Sequence, residues 1–352
     1  MFIESIVLKN VRNLKDYHCD FTPGINLIYG KNGKGKTTIL EAIYSLSMGK
    51  SFKSGKRNNM INFESDNFFI SGRIKYNEHN STTINVACLG DNRKITINKK
   101  PIPTILDLID MFPVVVMAPE NIILIEGSSV TRRSFFDRLF SIVDKQYLLL
   151  LKDYGKILQQ RRILLIEKND EMVNLWSDKM AEKGIVLWEK RKQYFNQFFK
   201  LFKATWPSDI KDISANIRYA PKSVTIKDEF ILILDELMKE EFLKKQNLYG
   251  PHKDDYLFEM NNASARFFSS QGEKKLFLTV LKNTECKFIE HYLEKQPVLL
   301  LDDLLAKFDT ERGYKIIEML KTKHQSVITS TNQSVKELIS GSSGEIHTIE
   351  LV

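Results

Sequence analysis

Cysteine is scarce in this chain: three in 352 residues, Cys19, Cys88 and Cys286. None forms a CxxC pair or has a histidine at a metal-ligand interval, which excludes a disulfide-stapled scaffold and a structural zinc site and suits a reducing compartment. Long apolar runs are missing as well. No stretch approaches a membrane span, and the opening MFIESIVLKN carries neither a basic leader nor a cleavage pattern, so a cytoplasmic protein with no membrane association is expected. There is no internal repeat at solenoid periods and no low-complexity tail. Proline is absent between Thr131 and Thr205 and glycine is sparse there, which leaves long windows free of helix breakers.

The chain is long enough for two or three domains with a sizeable core. Lysine and arginine number 52 against 44 acidic residues, a formal charge of +8 with a pI near 9.1. A basic surface concentrates polyanions, so an anionic partner is favoured, though charge alone does not select nucleic acid.

FIESIVL and GINLIYG read as strands, with Asn13 to Asp20 as a polar connection. FFISGRI, TTINVAC and RKITIN suggest a small antiparallel sheet, and PVVVM (113–117) a buried strand. From Glu120 to about Phe242 the pattern is mostly helical, with a break at Trp206-Pro207-Ser208 and a strand around Ser214 to Tyr219. After Gly250 strand and helix alternate again through VLLLD, SVITST and EIHTIELV. The expected architecture is α/β: a head in two parts, 1–119 and 249–352, split by a mostly helical arm, 120–248. The arm's basic clusters, Arg132-Arg133, Arg161-Arg162 and Lys190-Arg191-Lys192, read as a solvated helix face or as a binding site.

Gly30-Lys31-Asn32-Gly33-Lys34-Gly35-Lys36-Thr37 satisfies GxxxxGK[ST], with Thr38 following. It sits between an apolar strand and a helix whose Ile39, Leu40, Ile43 and Leu46 recur at helical spacing. Glycines let the backbone wrap a phosphate, Lys36 reaches the β and γ phosphates, and Thr37 offers a hydroxyl to magnesium, so ATP and Mg2+ are the expected cofactors. A second acid is needed at the end of a neighbouring strand. LLLDD supplies it: Asp302 for the metal and Asp303 to polarise an attacking water. SSQGEKKLF (269–277) admits two readings, a capping box from Ser270 to Glu273 that only begins a helix, or a hydroxyl and a glycine set at a helix start to receive phosphate.

With the phosphate loop, SSQGE and LLLDD in this order, the chain resembles ABC-type ATPase heads, and among them the RecF family of recombination and repair proteins. NLIYGKNGKGKTTILEAIYSLSMGKSF, APENIILIEGSSVTRRSFFDRLF, QQRRILL, GPHKDD, SSQGEKK and LLLDDLLAKFD follow the family's order over nearly the whole chain. Asn121, Ser129, Lys307-Phe308 and Glu273 depart from its usual residues. The resemblance implies a head-to-tail homodimer around ATP in which Ser270, Gln271, Gly272 and Glu273 form the signature segment facing the partner's Lys36. It places Asp309 in the loop linking the two sites and makes Arg12 a phosphate contact. It further implies binding to double-stranded and gapped DNA, RecO and RecR as partners that help load RecA, a place in DNA replication and the response to DNA damage, and slow ATP hydrolysis used as a switch. Lys50, Lys53, Lys56 and Arg57 are the candidate DNA-phosphate contacts, or else a solvated loop.

Other readings remain at this level. An SMC-like head would normally carry long heptad coiled coils, and a transporter subunit would usually show Asp-Glu-Pro after the acidic strand. A small-molecule P-loop kinase would leave SSQGEKK and GPHKDD unexplained, and a structural DNA clamp would bind ATP without turnover.

Overall fold

The computed structural model describes residues 1–53, 60–90, 92–102, 104–208, 210, 213–303, 324–331 and 346–351. The chain divides into two compact units, Met1–Asn121 together with Lys275–Val352, and Ile122–Lys274. In the first unit the chain opens with β1 (Phe2–Val11), β2 (Leu14–Asp20), β3 (Ile25–Gly30) and α1 (Lys36–Met48). It continues through β4 (Asn67–Lys75), β5 (Ser81–Leu89), β6 (Asn92–Ile97), β7 (Lys100–Pro101), α2 (Ile105–Met111) and β8 (Val114–Met117). An antiparallel sheet runs in the order β2-β1-β4-β5-β6-β7. Period-two alternation buries Phe68, Ile70 and Ile74 on β4 and Ile84, Val86 and Cys88 on β5, so one face turns to the core. The segment expected as a polar connection is largely strand. Leu14–Asp20 pairs with β1 from Val11↔Leu14 to Ser5↔Asp20, and as an edge strand it keeps its backbone bonds on one side while its charges stay in water.

The second unit contains α3 (Ile123–Glu126), α4 (Ser129–Val143), α5 (Lys145–Glu167), α6 (Asp170–Thr205), β9 (Ala215–Ala220), α7 (Lys227–Lys244), β10 (Asp255–Met260), β11 (Ala263–Ser264) and α8 (Ala265–Phe268). Its helix ends have local causes. The Asp144 carboxylate accepts from Gln146 N–H at 2.7 Å and Asn169 from Met172 N–H at 3.1 Å, starting α5 and α6. Trp206, the residue before Pro207, leaves the helical region at ψ 130° and α6 stops. Phe136 is the centre of the aromatic core, stacked on Tyr256 at 4.0 Å and edge-on to Phe198 at 5.2 Å. β10 pairs antiparallel with β9 from Asp255↔Ala220 to Met260↔Ala215. That pairing holds the segment after Gly250 in this unit, which therefore runs to Lys274 rather than ending at 248.

The arm's basic clusters are not solvated throughout, because one arginine from each is buried, while Arg162 and Lys192 stay exposed. Arg132 makes a two-pronged ion pair with Asp255, both bonds 2.9 Å. Arg161 pairs with Glu241 at 2.6 Å and donates to Ser177 and Asn247. Arg191 spans Asp137 at 2.9 Å and Asp254 at 2.8 Å and donates to the Pro251 carbonyl. Asp254 also accepts from Trp188 Nε1 and from the Tyr219 hydroxyl. A planar guanidinium with five donors suits this task, since it satisfies several buried acceptors at fixed angles. GPHKDD and the arginines of the three clusters thus meet in the polar interior of the arm.

His252 belongs to the same network. Its Nε2 contacts the Asn247 carbonyl and its Nδ1 the Tyr154 hydroxyl, both at 3.1 Å. A carbonyl only accepts, so Nε2 carries the proton and neutral Nδ1 accepts from tyrosine. Burial pulls the imidazole down to about 4, the Asn247 bond works the other way, and Lys253, Arg133 and Arg191 add repulsion. The unfolded chain takes up this proton near 6.5, the folded chain only near 4. The neutral imidazole therefore costs nothing above 6.5, and stability falls as pH drops from 6.5 towards 4, by about 3 kcal/mol from this group. Urea unfolding between pH 7.5 and 4 should show that loss, and His252→Gln should flatten it. An unchanged slope in the variant would show that other groups carry the acid sensitivity.

The chain leaves the second unit through α9 (Gln271–Leu293) and completes the first with β12 (Val298–Leu301), β13 (Ser326–Ser330) and β14 (Ile346–Leu351). These join β3 and β8 in an all-parallel sheet of order β14-β3-β13-β12-β8. β8, β12 and β13 are buried at every position, as expected for a sheet covered on both faces. α1 packs against β1, β4 and β5 of the antiparallel sheet and β3, β8 and β13 of the parallel one. Only Thr37 of its residues escapes burial, so the helix that follows the phosphate loop is clamped between two layers. The head expected from sequence, an α/β ATPase fold interrupted by a mostly helical arm, is the architecture observed.

Candidate functional site

Because β3, β12 and β13 are parallel, their carboxyl ends lie along one edge, where α/β sheets bind ligands. A cavity of about 340 Å³ opens there, lined by residues of the phosphate loop, by Asp302, Asp303, Thr329 and Thr331 at the strand ends, and by Arg12, Asn13, Ile61 and Phe63. The loop is built for backbone approach. Gly33 and Gly35 sit at φ 81° and 101°, and a Cβ at Gly35 would come within 2.9 Å of the Leu14 side chain, so a larger residue is excluded by both strain and space. Asn13 secures the loop from outside, donating to the Gly33 carbonyl at 2.7 Å and accepting from the Thr38 hydroxyl at 3.1 Å.

Lys36 is 7 % exposed, and its ammonium donates to the carbonyls of Gly30 at 2.7 Å and Lys31 at 2.9 Å. Burial lowers its pKa, while the charges of Asp303 and Asp302 pull it back up. The cation is thus folded onto its own loop, holding position for an anion that would replace those carbonyls. Thr37 donates to both oxygens of Asp302, at 2.9 and 3.1 Å. Thr329 donates to Asp302 Oδ1 at 2.8 Å, and the Asp303 N–H donates to Thr329 at 3.0 Å. A hydroxyl and a carboxylate of hard oxygen character converging beside a phosphate loop fit magnesium, which keeps most of its waters and takes few protein ligands. Asp303 adopts φ 46°, and its Oδ1 is buried with no hydrogen-bond partner among the described residues. That leaves one carboxylate acceptor uncommitted at the cavity, as a water-orienting group requires.

The cavity gathers Arg12, Asn32, Gly33, Gly35, Lys36, Thr37, Thr38, Asp302 and Asp303 of the expected residues. Gly30 and Lys31 join them through Lys36, and Lys34 lies exposed in the loop. Ser270, Gln271, Gly272 and Glu273 belong to the second unit. There the capping box is formed, with the Ser270 N–H donating to the Glu273 carboxylate at 2.7 Å and the Glu273 N–H donating to Ser270 Oγ at 3.3 Å. Glu273 is folded back onto the helix start, and the Ser270 O–H keeps its own proton to donate. Lys50 is exposed and Lys53 half-buried. Lys56, Arg57 and Asp309 lie outside the described residues.

Sequence reasoning missed Thr329, Asn13 and Glu41. Glu41 is fully buried on α1, where its Oε1 accepts from Arg12 at 2.7 Å and from the Ser51 hydroxyl at 2.5 Å. Burial raises its pKa, with Ser51, Arg12 and Lys53 acting the other way. The signal was present as one acid inside the apolar run ILEAI. Thr329 offered only its place at the end of a strand parallel to the acidic one.

The family model described as RecF/RecN/SMC N terminal domain matches residues 2–345. The DNA replication and repair protein RecF of Clostridioides difficile (strain 630) is 32 % identical to this chain, over 99 % of it and 97 % of the relative. A solved structure titled as the recombination mediator protein RecF with ATP in the RecFOR pathway superposes with a TM-score of 0.84 at 29 % identity, covering 95 % of this chain and 92 % of that one. An Smc head bound to the C-terminal winged-helix domain of ScpA shares the fold alone, with a TM-score of 0.57 at 15 % identity over 99 % of this chain and 94 % of that one. Matched along nearly its whole length in sequence and in fold, with the phosphate loop and its acid in one cavity, the chain belongs to the RecF family.

Proposed function

We propose that the chain is an ATP-gated DNA-binding protein of recombinational repair. The observation that carries this is the cavity in which Lys36, Thr37, Asp302 and Asp303 converge at the carboxyl edge of a parallel sheet. ATP binds with its phosphates in the loop glycines and on Lys36, and Thr37 and Asp302 hold Mg2+, which offsets phosphate charge. Asp303 orients the attacking water. Hydrolysis is slow and serves to reset the protein.

ATP acts between two copies of the chain. Ser270 and Gly272 of one copy meet the γ-phosphate bound on the other, and Asp309 serves to link the two sites. The Ser270 hydroxyl is exposed and free to donate while its oxygen caps α9, and the fold-back of Glu273 removes a carboxylate from the approach. Loss of the γ-phosphate removes charge-assisted hydrogen bonds, and the dimer loosens. Lys50, Lys53, Lys56 and Arg57 contact phosphates of double-stranded or gapped DNA, with salt-sensitive binding and little sequence preference. RecO and RecR are the partners with which the dimer helps load RecA.

Size-exclusion light scattering with and without ATP and gapped DNA tests this reading. A monomer that doubles in mass only with ATP, and elutes with DNA only in that state, is expected. Ser270→Arg should abolish the ATP-dependent dimer while ATP affinity of the monomer stays within about twofold, since the arginine blocks only the partner's phosphate. Loss of monomer affinity in that variant would place Ser270 in its own subunit's site.

A further inference from the structure

Glu41 is fully buried on α1, one helical turn after Thr37, and only one of its oxygens is used. Oε1 accepts both bonds, from the Arg12 guanidinium at 2.7 Å and from the Ser51 hydroxyl at 2.5 Å. Oε2 is buried with no hydrogen-bond partner among the described residues. A buried carboxylate is costly unless its charge is met. Packing alone gives no reason for the charge, since glutamine fills the same volume. The reason lies in what the two donors belong to. Arg12 lines the cavity of the phosphate loop. Its backbone is fixed at φ 49°, with its N–H on the Met60 carbonyl at 2.9 Å and its carbonyl accepting from the Asn62 amide. The side chain is 29 % exposed, and beyond Nη2 on Glu41 the guanidinium makes no hydrogen bond among the described residues. A guanidinium carries five donors, so Arg12 can keep its hold on Glu41 and still have donors for a phosphate.

Ser51 belongs instead to the segment that leaves α1 after the Gly49 cap. Its oxygen accepts from the Lys53 N–H at 3.0 Å, and the neighbouring Phe52 ring sits edge-on to Tyr44 of α1 at 5.6 Å. Ser51 does not line the cavity. The segment carries Lys50 and Lys53, and the Lys53 charge is itself felt at Glu41, where it favours the ionised carboxylate. One buried carboxylate therefore has two sources of compensation, Arg12 at the phosphate site and Ser51 with Lys53 on the basic segment. When Arg12 shares its charge with a bound phosphate, Glu41 depends more on the segment. When the segment is docked, Arg12 is freer to be shared, so the two events favour one another. We infer that Glu41 is a positioning residue that links the phosphate contact of Arg12 to the docking of the basic segment 50–53 on α1. This rests on the ATP reading above and adds to it a coupling between the phosphate site and the lysines assigned to DNA.

The test is equilibrium binding of ATP and of inorganic tripolyphosphate to the full chain, at concentrations where light scattering reports a monomer. The variants are Glu41→Gln, Ser51→Ala and Arg12→Ala, with the first two also combined with Arg12→Ala. Glu41→Gln should weaken both ligands about tenfold, the scale of one charge-assisted hydrogen bond. Ser51→Ala should weaken both about threefold although it touches neither, the scale of a hydrogen bond from a neutral donor. In the Arg12→Ala background both effects should vanish, because the carboxylate then has no phosphate contact to position. Losses that persist undiminished without Arg12 would make Glu41 a general support of α1 and overturn the inference, as would a Ser51→Ala chain of unchanged affinity. Should Glu41→Gln fail to fold, the cycle of Ser51 with Arg12 decides alone, since both side chains are partly exposed. If the parent chain bound neither ligand, the ATP reading would fall and the coupling with it, an outcome distinct from failure of Glu41 alone.

Discussion

Arg191→Ala should lower the stability of the second unit by about 3–5 kcal/mol, the cost of leaving a buried carboxylate without its counter-charge. Arg191 is 2 % exposed and the Asp254 side chain 1 % exposed, so water cannot replace the lost guanidinium. Burial alone raises the Asp254 pKa, and Arg191 heads the groups that hold it down, ahead of Tyr219 and Trp188. With the arginine gone, Asp254 would take a proton or unfold its surroundings, and Asp137 would lose its partner as well. Arg191→Lys should recover part of the loss, since one ammonium cannot reach both carboxylates and the Pro251 carbonyl in the way the fork does. Urea unfolding followed by tryptophan fluorescence reads this directly, because Trp176, Trp188 and Trp206 all lie in this unit. A loss below about 1 kcal/mol would mean that solvent reaches the network and that the arginines of the three motifs are not its scaffold.

Lys36→Ala should reduce ATP affinity about 100-fold, on the scale of two charge-assisted hydrogen bonds to phosphate, and should abolish ATP-dependent dimerisation. The geometry also defines the control. In the free protein the hydrogen bonds of Lys36 among the described residues go to the carbonyls of Gly30 and Lys31, neutral groups of a loop in which Lys31 is exposed to water. Thermal unfolding without nucleotide should therefore move little, separating lost binding from lost folding. Lys36→Arg keeps the charge but brings a wider planar group into a tight slot, and should weaken the ATP-dependent dimer and DNA retention less than alanine does. An alanine variant that sediments as an undiminished ATP-dependent dimer would sink the assignment of Lys36.

The phosphate loop was legible because its chemistry is local. Eight consecutive residues supply the glycines, the cation and the hydroxyl, and the apolar strand before them and the helix after them are visible as runs and periods. Asp302 was legible for a related reason, as an acid closing a buried Val-Leu run. Arg132, Arg161 and Arg191 were not. Each lies on a helix with charged neighbours, so a one-dimensional reading places it in solvent. Their burial depends on Asp255, Glu241, Asp137 and Asp254, which reach them from other elements of the chain. The capping box at Ser270 was readable from spacing alone, but whether Glu273 turned back or stood free depended on a rotamer that spacing does not specify.

By itself the sequence determined the reagents and their order: a phosphate loop, a capped helix start, an acidic strand end, and a helical insertion between two α/β parts. These follow from short-range geometry, the period of two or 3.6 and the conformations that glycine and proline allow. Tertiary structure decided which residues share a cavity. Thr329 reaches Asp302 only because β12 and β13 are adjacent and parallel, and Arg12, just past β1, reaches Glu41 only because α1 packs against that strand. Such contacts join residues far apart in the chain, and they are selected by the packing of layers rather than by any local preference of the residues concerned.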